Sequence, residues 1–281
     1  MKNSINHNDP SAASTRDSGY LPGIWCCVFL LMWAGEMAAQ TGSSQNLPAA
    51  PQTASRDIVP LEIEKALQSP AGEERNKALI LAAQAWAQKE PMAALAWALQ
   101  LKNARPVTLA VAEECGKTNG KSAADFCVQK DQLPYLHPVL GAWTRIDPVA
   151  AAAWSMQAQR ARYLSFYTVG GNWIKVDRTA ATAWVVKLEN VEDRHAALHG
   201  IGLVWGRSDD IPGLIAWIKQ LKPEDAQMTA KGVVWGVQKY GKKLKSEADA
   251  AAFLGQCSFT ALEKEAILKA PPINQYSPPK N

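Results

Sequence analysis

The sequence predicts an all-α protein, a right-handed α-solenoid of about six helical hairpins of roughly 30 residues, closed by a C-terminal capping helix. Two observations lead to this fold class. The stretch GAWTRIDPVAAAAW (141–154) returns as GNWIKVDRTAATAW (171–184). Pairs of aromatic residues 11 or 12 positions apart also recur along the chain with a period of about 30 residues. A fixed period of this length is typical of a repeat architecture.

Each repeat unit has two aromatic slots. The first slots of units 1 to 6 are Trp86, Cys115, Trp143, Trp173, Trp205 and Trp235. The second slots are Trp97, Phe126, Trp154, Trp184, Trp217 and, after an insertion in unit 6, Phe253. Helical spacing and placement in repeat slots favour a buried core for these tryptophans. The alternative is a sugar-binding surface, because aromatic planes stack on pyranose faces.

The first half of each unit is predicted to be a helix. Apolar residues recur at helical spacing before the first slot, as in Ile80, Ala83 and Trp86. A small residue stands three positions before the first slot in four units, and these residues are Ala83, Gly170, Gly202 and Gly232. A small side chain on that face would let a neighbouring helix, or the indole itself, come close.

After each first slot, the first helix is predicted to end and a second helix to begin. In unit 3, Asp147 is a good N-cap, and Pro148 stands at the first helical position, where a missing N–H costs nothing. Asp177 and Asp209 hold the equivalent cap positions, whereas Glu90 is a poorer cap. The second helix is rich in alanine, the residue with the best helix propensity.

The two ends of the chain differ from the predicted repeat domain, residues 59–270. Residues 1–39 are predicted to be a signal peptide or an N-terminal anchor, because the apolar run 24–34 is too short to span a bilayer comfortably. Its long leader and balanced charges leave open an uncleaved anchor or an upstream start codon. Residues 40–58 are predicted to be a flexible linker, and residues 271–281 a disordered Pro-rich tail.

Two further segments lie near the C-terminus. Thr260 and Glu263 form a predicted capping box at the start of a last helix, 260–270, which would close the stack. The basic stretch KYGKKLK (239–245) is interpreted as a solvated loop inserted in unit 6, with binding to an anionic surface as the alternative.

The repeat theme W-x-x-x-D-P-x-A-A-x-A-W, which runs from Trp143 to Trp154, resembles the tetratricopeptide and Sel1-like class of helical hairpins. It is most similar to the Trp-rich repeats of exported bacterial proteins, over roughly residues 74–256. The unit is shorter than that of a tetratricopeptide, which has about 34 residues. The resemblance implies a protein-binding scaffold and names no catalytic residue.

Composition and missing motifs argue against several functions. The 281 residues carry a net charge of +4, which is too small to imply nucleic acid binding by itself. The sequence contains no phosphate-binding Gly loop, no G-x-S-x-G elbow and no Cys-x-x-Cys pair. We therefore expect no catalytic residue, no cofactor and no enzyme activity. An enzyme built on a helical toroid would need inward carboxylates, which the sequence does not show.

Two pairs of residues suggest special chemistry. His195 and His199 have the i, i+4 spacing of zinc ligands, but Ala196 replaces the glutamate of a metalloprotease and no third ligand is evident, so no metal site is predicted. Cys115 and Cys127 occupy opposite helices of one hairpin. They could form a disulfide in an oxidising compartment, or they could be two small buried residues.

Arginines recur before the first slot. Arg75, Arg162 and Arg194 stand 11 residues before it, and Arg105 stands 10 before. Stacked units would align these side chains as a basic stripe that binds an acidic partner or a peptide carboxylate. The alternative is structural, with each arginine paired to nearby acids such as Asp193.

These observations predict a non-catalytic scaffold for protein–protein interaction, in the cell envelope or outside the cell. The expected partner is a protein or peptide and not a nucleic acid. Contact with a membrane is expected only through an uncleaved N-terminal segment, residues 24–34, and the oligomeric state is left open. The alternative function is binding of carbohydrate or cell wall through exposed tryptophan.

Overall fold

A computed structural model describes residues 59–240 and 246–270 of the chain, and within these ranges all regular structure is helical, with no strand. The predicted all-α class is therefore confirmed. The α-helices of the described ranges are α1 (Leu61–Gln68), α2 (Glu73–Lys89), α3 (Pro91–Ala98), α4 (Arg105–Gln129), α5 (Leu133–Ile146), α6 (Pro148–Ser155), α7 (Arg162–Val176), α8 (Arg178–Val185), α9 (Val191–Trp205), α10 (Ile211–Ile218), α11 (Pro223–Tyr240), α12 (Glu247–Gln256) and α13 (Ala261–Leu268).

Several predicted segments lie outside the described residues. They are the leader 1–39, the linker 40–58, the greater part of the basic stretch 239–245 and the tail 271–281. Among the helices of the described ranges, none combines the length and the apolar character needed to cross a membrane.

The predicted restart after the first slot is confirmed in units 3 and 4. Asp147 has an extended backbone, with φ of −140°, and its Oδ1 accepts a hydrogen bond of 2.9 Å from the amide of Ala150. Asp177 does the same for Ala180 at 2.9 Å. One extended residue therefore ends each long helix and caps the short helix that follows.

The restart differs in units 1 and 5. Glu90 has a similar non-helical backbone but makes no side-chain cap, in line with its weaker cap propensity. The prediction that Asp209 caps the second helix of unit 5 is wrong. Asp210 caps α10 instead, by accepting from the amide of Gly213 at 3.0 Å. The aromatic slots of this unit are one position further apart than those of units 1 to 4, and the extra residue moves the cap by one position.

Helix α4 contains both helices of unit 2, joined across a kink. Its 25 residues are interrupted at Asn119, where φ is −147° and ψ is 54°. Asn119 follows Cys115 by four residues, as Asp147 follows Trp143. The interruption therefore falls where the repeat predicts it.

The long helices pack in chain order, α2 with α4, α4 with α5, α5 with α7, α7 with α9 and α9 with α11. Glycines make the closest contacts. A Cβ on Gly200 would overlap the carbonyl oxygen of Tyr167. A Cβ on the glycine three positions before the first slot would likewise meet a backbone carbonyl oxygen of the neighbouring helix, at Gly170, Gly202 and Gly232. The predicted close approach is therefore confirmed at all three glycines of this position.

The tryptophans line the interior along the length of the domain. Trp86, Trp97, Trp154, Trp173 and Trp205 are buried, and Trp143, Trp184, Trp217 and Trp235 are half-buried. The two rings of a unit touch, with centroids 5.7 Å apart for Trp86 and Trp97, 6.3 Å for Trp143 and Trp154, 5.1 Å for Trp173 and Trp184, and 5.5 Å for Trp205 and Trp217. Each pair connects a long helix to the short helix that follows it.

Candidate functional site

The proposed arginine stripe is largely an internal feature. Arg194 is buried, donates from Nε to both carboxylate oxygens of Asp225 at 3.0 and 3.1 Å, and donates from Nη1 to the carbonyl of Leu188 at 2.7 Å. Arg162, which is half-buried, donates from Nε and Nη2 to the two carboxylate oxygens of Asp193, each at 2.6 Å. These contacts favour the structural alternative for the two residues, in which each arginine pairs with an acid of the fold.

The other two arginines of the predicted stripe give it no support either. Arg75 and Arg105 are half-buried, and neither is free of interactions. Neither position is followed, one repeat downstream, by the aspartate that Arg162 and Arg194 use. The four arginines thus differ in sequence context.

The possible disulfide between Cys115 and Cys127 is not formed, and both cysteines are buried free thiols. The Cys115 thiol donates to the carbonyl of Pro91 at 3.0 Å. Burial raises the pKa of each thiol to about 12. Both cysteines therefore behave as small buried residues, with little thiolate at neutral pH.

The two histidines of the i, i+4 pair have separate environments. His195 Nε2 lies 3.4 Å from Asp225 Oδ1, whereas His199 is buried with its Nδ1 3.5 Å from the Tyr163 hydroxyl. Within residues 59–240 and 246–270, no three His, Cys, Asp or Glu side chains are grouped as metal ligands.

A chain of ring contacts crosses four consecutive long helices. The ring centroids of His137 on α5 and Tyr167 on α7 are 6.5 Å apart. The Tyr167 centroid lies 5.6 Å from that of His199 on α9, and the His199 centroid lies 5.8 Å from that of Trp235 on α11. Tyr163 stacks on Tyr167 at 6.4 Å. Four of these rings are half-buried and only His199 is fully buried.

Basic side chains share the helix ridges that carry these rings. On α7, Tyr163, Tyr167 and Lys175 lie on one ridge of i, i+4 spacing. Equivalent ridges carry His137 and Arg145 on α5, and His199 and Arg207 on α9 and just beyond it. Lys231 and Trp235 share a different i, i+4 ridge of α11, and they join the group because the Trp235 ring contacts His199. We call the five rings and four cations of these ridges the aromatic–basic face.

The charges of this face act on each other. Burial, followed by the charges of Lys175 and Arg145, lowers the pKa of His137 to about 4. Burial and the charge of Lys231 lower the pKa of His199 to about 4. The Lys175 side chain is partly covered by its neighbours, and this loss of solvation, followed by the charges of Arg207 and Arg145, lowers its pKa. The charged groups that lower these pKa values are all cations.

Arg145 has partners within the fold. Arg145 Nη2 lies 2.7 Å from Glu113 Oε1, and Arg145 Nη1 is 3.5 Å from the Asn172 side-chain oxygen. Both partners of the Arg145–Glu113 pair are exposed to about two fifths, so water competes for the pair. An anionic ligand could replace Glu113 at Arg145.

Sequence reasoning that started from the tryptophans missed this face. Its signal is present in the repeat alignment. The residue six positions before the first slot is His137, Tyr167 and His199 in units 3 to 5, and the residue two positions after it is Arg145, Lys175 and Arg207. Alignment alone does not show that the two positions share one surface.

Comparisons with protein-family models, with curated proteins and with solved structures found no match to this chain.

Proposed function

We propose that this protein is a non-catalytic scaffold that binds a protein or peptide partner, built as a right-handed α-solenoid of six hairpins of the tetratricopeptide and Sel1-like kind. The observation that carries the proposal is the aromatic–basic face, which repeats one ring and one cation per unit across α5, α7 and α9. A surface that repeats with the fold suits a linear ligand, because each unit offers the ligand the same contact.

Bonds between units support a scaffold role. Side-chain hydrogen bonds join residues one repeat apart, as between Trp154 and Asp125, with 2.7 Å from Nε1 to Oδ1, and between Arg162 and Asp193. Such bonds hold neighbouring units in a fixed geometry. A preorganised surface loses less entropy when it binds a partner.

We also propose that the protein acts after export, with residues 1–39 removed or with residues 24–34 kept as an anchor. This part of the proposal rests on the apolar run of the leader. Immunoblotting of fractionated cells, with the size of the envelope form compared with that of the full chain, separates cleavage from anchoring. A full-length product in the cytoplasm would contradict export.

A crosslinking pull-down tests the scaffold function. The bait is the chain from residue 40, incubated with a native envelope extract. We expect a defined protein in a fixed ratio to the bait, and we expect the purified pair to reassemble in solution. Recovery of no protein that reassembles with the bait would contradict the proposal.

Carbohydrate binding is the second candidate. The half-buried rings of Tyr163 and Tyr167 favour this candidate, because their faces could contact a sugar. The tryptophans do not support carbohydrate binding, because every tryptophan in residues 59–240 is buried or half-buried. In the same pull-down, recovery of glycan in place of protein would favour this candidate.

A further inference from the structure

We propose that the aromatic–basic face binds an acidic peptide segment in an extended, polyproline II-like conformation, with a carboxylate at every third residue. The carboxylates would pair with Arg145, Lys175 and Arg207, and the peptide stem would lie along Tyr163 and Tyr167. This inference rests on the proposed scaffold function and names the chemistry of its partner.

The spacing of the cations sets the register of the ligand. Packed helices lie about 8–10 Å apart, and backbone contact through glycines holds them toward the short end of that range. Gly170 and Gly200 make such contacts between α7 and α9. A polyproline II chain rises about 3.1 Å per residue and has three residues per turn, so one face repeats about every 9 Å. One acidic residue per turn would therefore meet one cation per helix.

The cations of the face favour an anionic ligand. Arg145 and Lys175 are exposed and Arg207 is half-buried, and the charges of Arg207 and Arg145 both act on Lys175. A bound carboxylate would relieve this repulsion between like charges. Basic residues in the last turn of α5 and α7 also suit the helix dipole. The dipole, however, does not account for Arg207, which lies beyond the end of α9.

The aromatic side chains of the face favour a peptide, because extended polyproline II segments dock on aromatic-lined grooves. Tyr163 and Tyr167 are nearly parallel, with an interplanar angle of 12°. The rings beyond them are tilted, by 35° between Tyr167 and His199 and by 48° between His199 and Trp235.

The ligand test uses fluorescence anisotropy with two labelled peptides of equal length. One peptide repeats Glu-Pro-Pro five times, and the second has the same composition with its five glutamates placed together at one end. We expect the first peptide to bind, and to bind at least threefold more tightly than the second. Rising salt should weaken binding, because exposed charges are screened.

A triple variant tests the site. Arg145→Gln, Lys175→Gln and Arg207→Gln remove three cations of the face. A control triple variant removes three exposed cations outside it, with Arg160→Gln, Lys187→Gln and Lys219→Gln. We expect the face variant to bind the repeating peptide about tenfold more weakly, because it loses three exposed ion pairs that each contribute modestly. The control variant should change affinity by less than twofold.

A single variant, Lys175→Gln, guards against loss of folding, because this side chain is exposed. It should keep the circular dichroism spectrum and weaken binding about twofold to threefold. Three results would overturn the inference. They are equal weakening of binding in both triple variants, equal affinity for both peptides, and no binding of the repeating peptide. Stronger binding of a polyuronate chain or of anionic phosphatidylglycerol vesicles than of the peptide would also overturn it.

The pull-down separates this inference from the scaffold function. If the natural chain and the face variant capture the same reassembling partner equally, the scaffold function stands and the acidic-peptide site is wrong. If the natural chain captures no such partner, the scaffold function itself is wrong.

Discussion

Arg162 of α7 and Asp193 of α9 are joined by two parallel hydrogen bonds of 2.6 Å, from Nε to Oδ1 and from Nη2 to Oδ2. The same guanidinium donates from Nη1 to the carbonyl of Met156 at 3.0 Å. One unit later, Arg194 pairs with Asp225 through Nε alone, and it donates from Nη1 to the carbonyl of Leu188. Each arginine thus ties the segment after one short helix to the next long helix.

We predict that Asp225→Asn destabilises the protein by about 3–5 kcal/mol, the range measured when a buried ion pair loses one partner. Asp225 and Arg194 are both buried, so the variant leaves an arginine charge with poor compensation. Urea unfolding monitored by circular dichroism measures the change. Asp131→Asn is the control, because its pair with Arg160 is exposed and should contribute at most about 1 kcal/mol. Equal effects of the two variants would show that the buried pair has no special role.

We predict that Gly200→Ala destabilises the contact between α7 and α9 by about 1–3 kcal/mol, the usual cost of overpacking. The new Cβ would overlap the carbonyl oxygen of Tyr167, which belongs to the backbone and cannot rotate away. Gly255→Ala is the matched control, because a Cβ there would have no neighbour within 4 Å. Gly255 lies inside α12, so its replacement should stabilise by about 0.5–1 kcal/mol. Thermal unfolding of both variants gives the comparison, and the same sign for both would contradict it.

We predict that Trp173→Ala costs about 3–5 kcal/mol, as truncation of a buried tryptophan does. Trp173 is 6% exposed, and its ring lies 5.1 Å from that of Trp184. Leu262→Ala serves as the control, because Leu262 is 77% exposed and should change stability by at most about 0.5 kcal/mol. The free energy of unfolding of the two variants measures the difference. A loss below about 1 kcal/mol for Trp173→Ala would show that Trp173 does not belong to the core.

We predict that His137 and His199 make the fold less stable as pH falls below about 6.5. Both have a folded pKa of about 4, below the ordinary value of 6.5, so the unfolded chain binds more protons between these two limits. Each histidine should therefore lower the free energy of unfolding by about 1.4 kcal/mol per pH unit as pH falls through this window. Above pH 6.5 both are neutral in either state and the effect vanishes, and below pH 4 it is constant.

Denaturant unfolding at pH 7.0 and pH 5.0 measures this effect. The variant His137→Asn keeps a polar group near Thr168, whose Oγ1 lies 2.8 Å from His137 Nδ1. It should lose less stability between the two pH values than the natural chain does, by roughly 2 kcal/mol if the whole shift is expressed. An unchanged pH dependence would mean that His137 titrates alike in the folded and unfolded chain.

The sequence by itself determined the helices and their interruptions, because these depend on local chemistry. The caps Asp147 and Asp177, the capping box of Thr260 and Glu263, and the aromatic slots could all be recognised from residue type and spacing. Hydrogen bonds within three or four residues decide such features, and the sequence contains both partners side by side.

Tertiary structure alone decided which repeated positions are available to a ligand. Arg162 and Arg194 look like a basic stripe in the alignment, yet their partners Asp193 and Asp225 lie one repeat further on and become neighbours only when α7, α9 and α11 pack. The same packing aligned the rings and cations of the aromatic–basic face on one surface. Side-chain direction and burial depend on how closely helices approach. The small residues before the first slots indicate where helices come close, but they do not specify which side chains then share one surface.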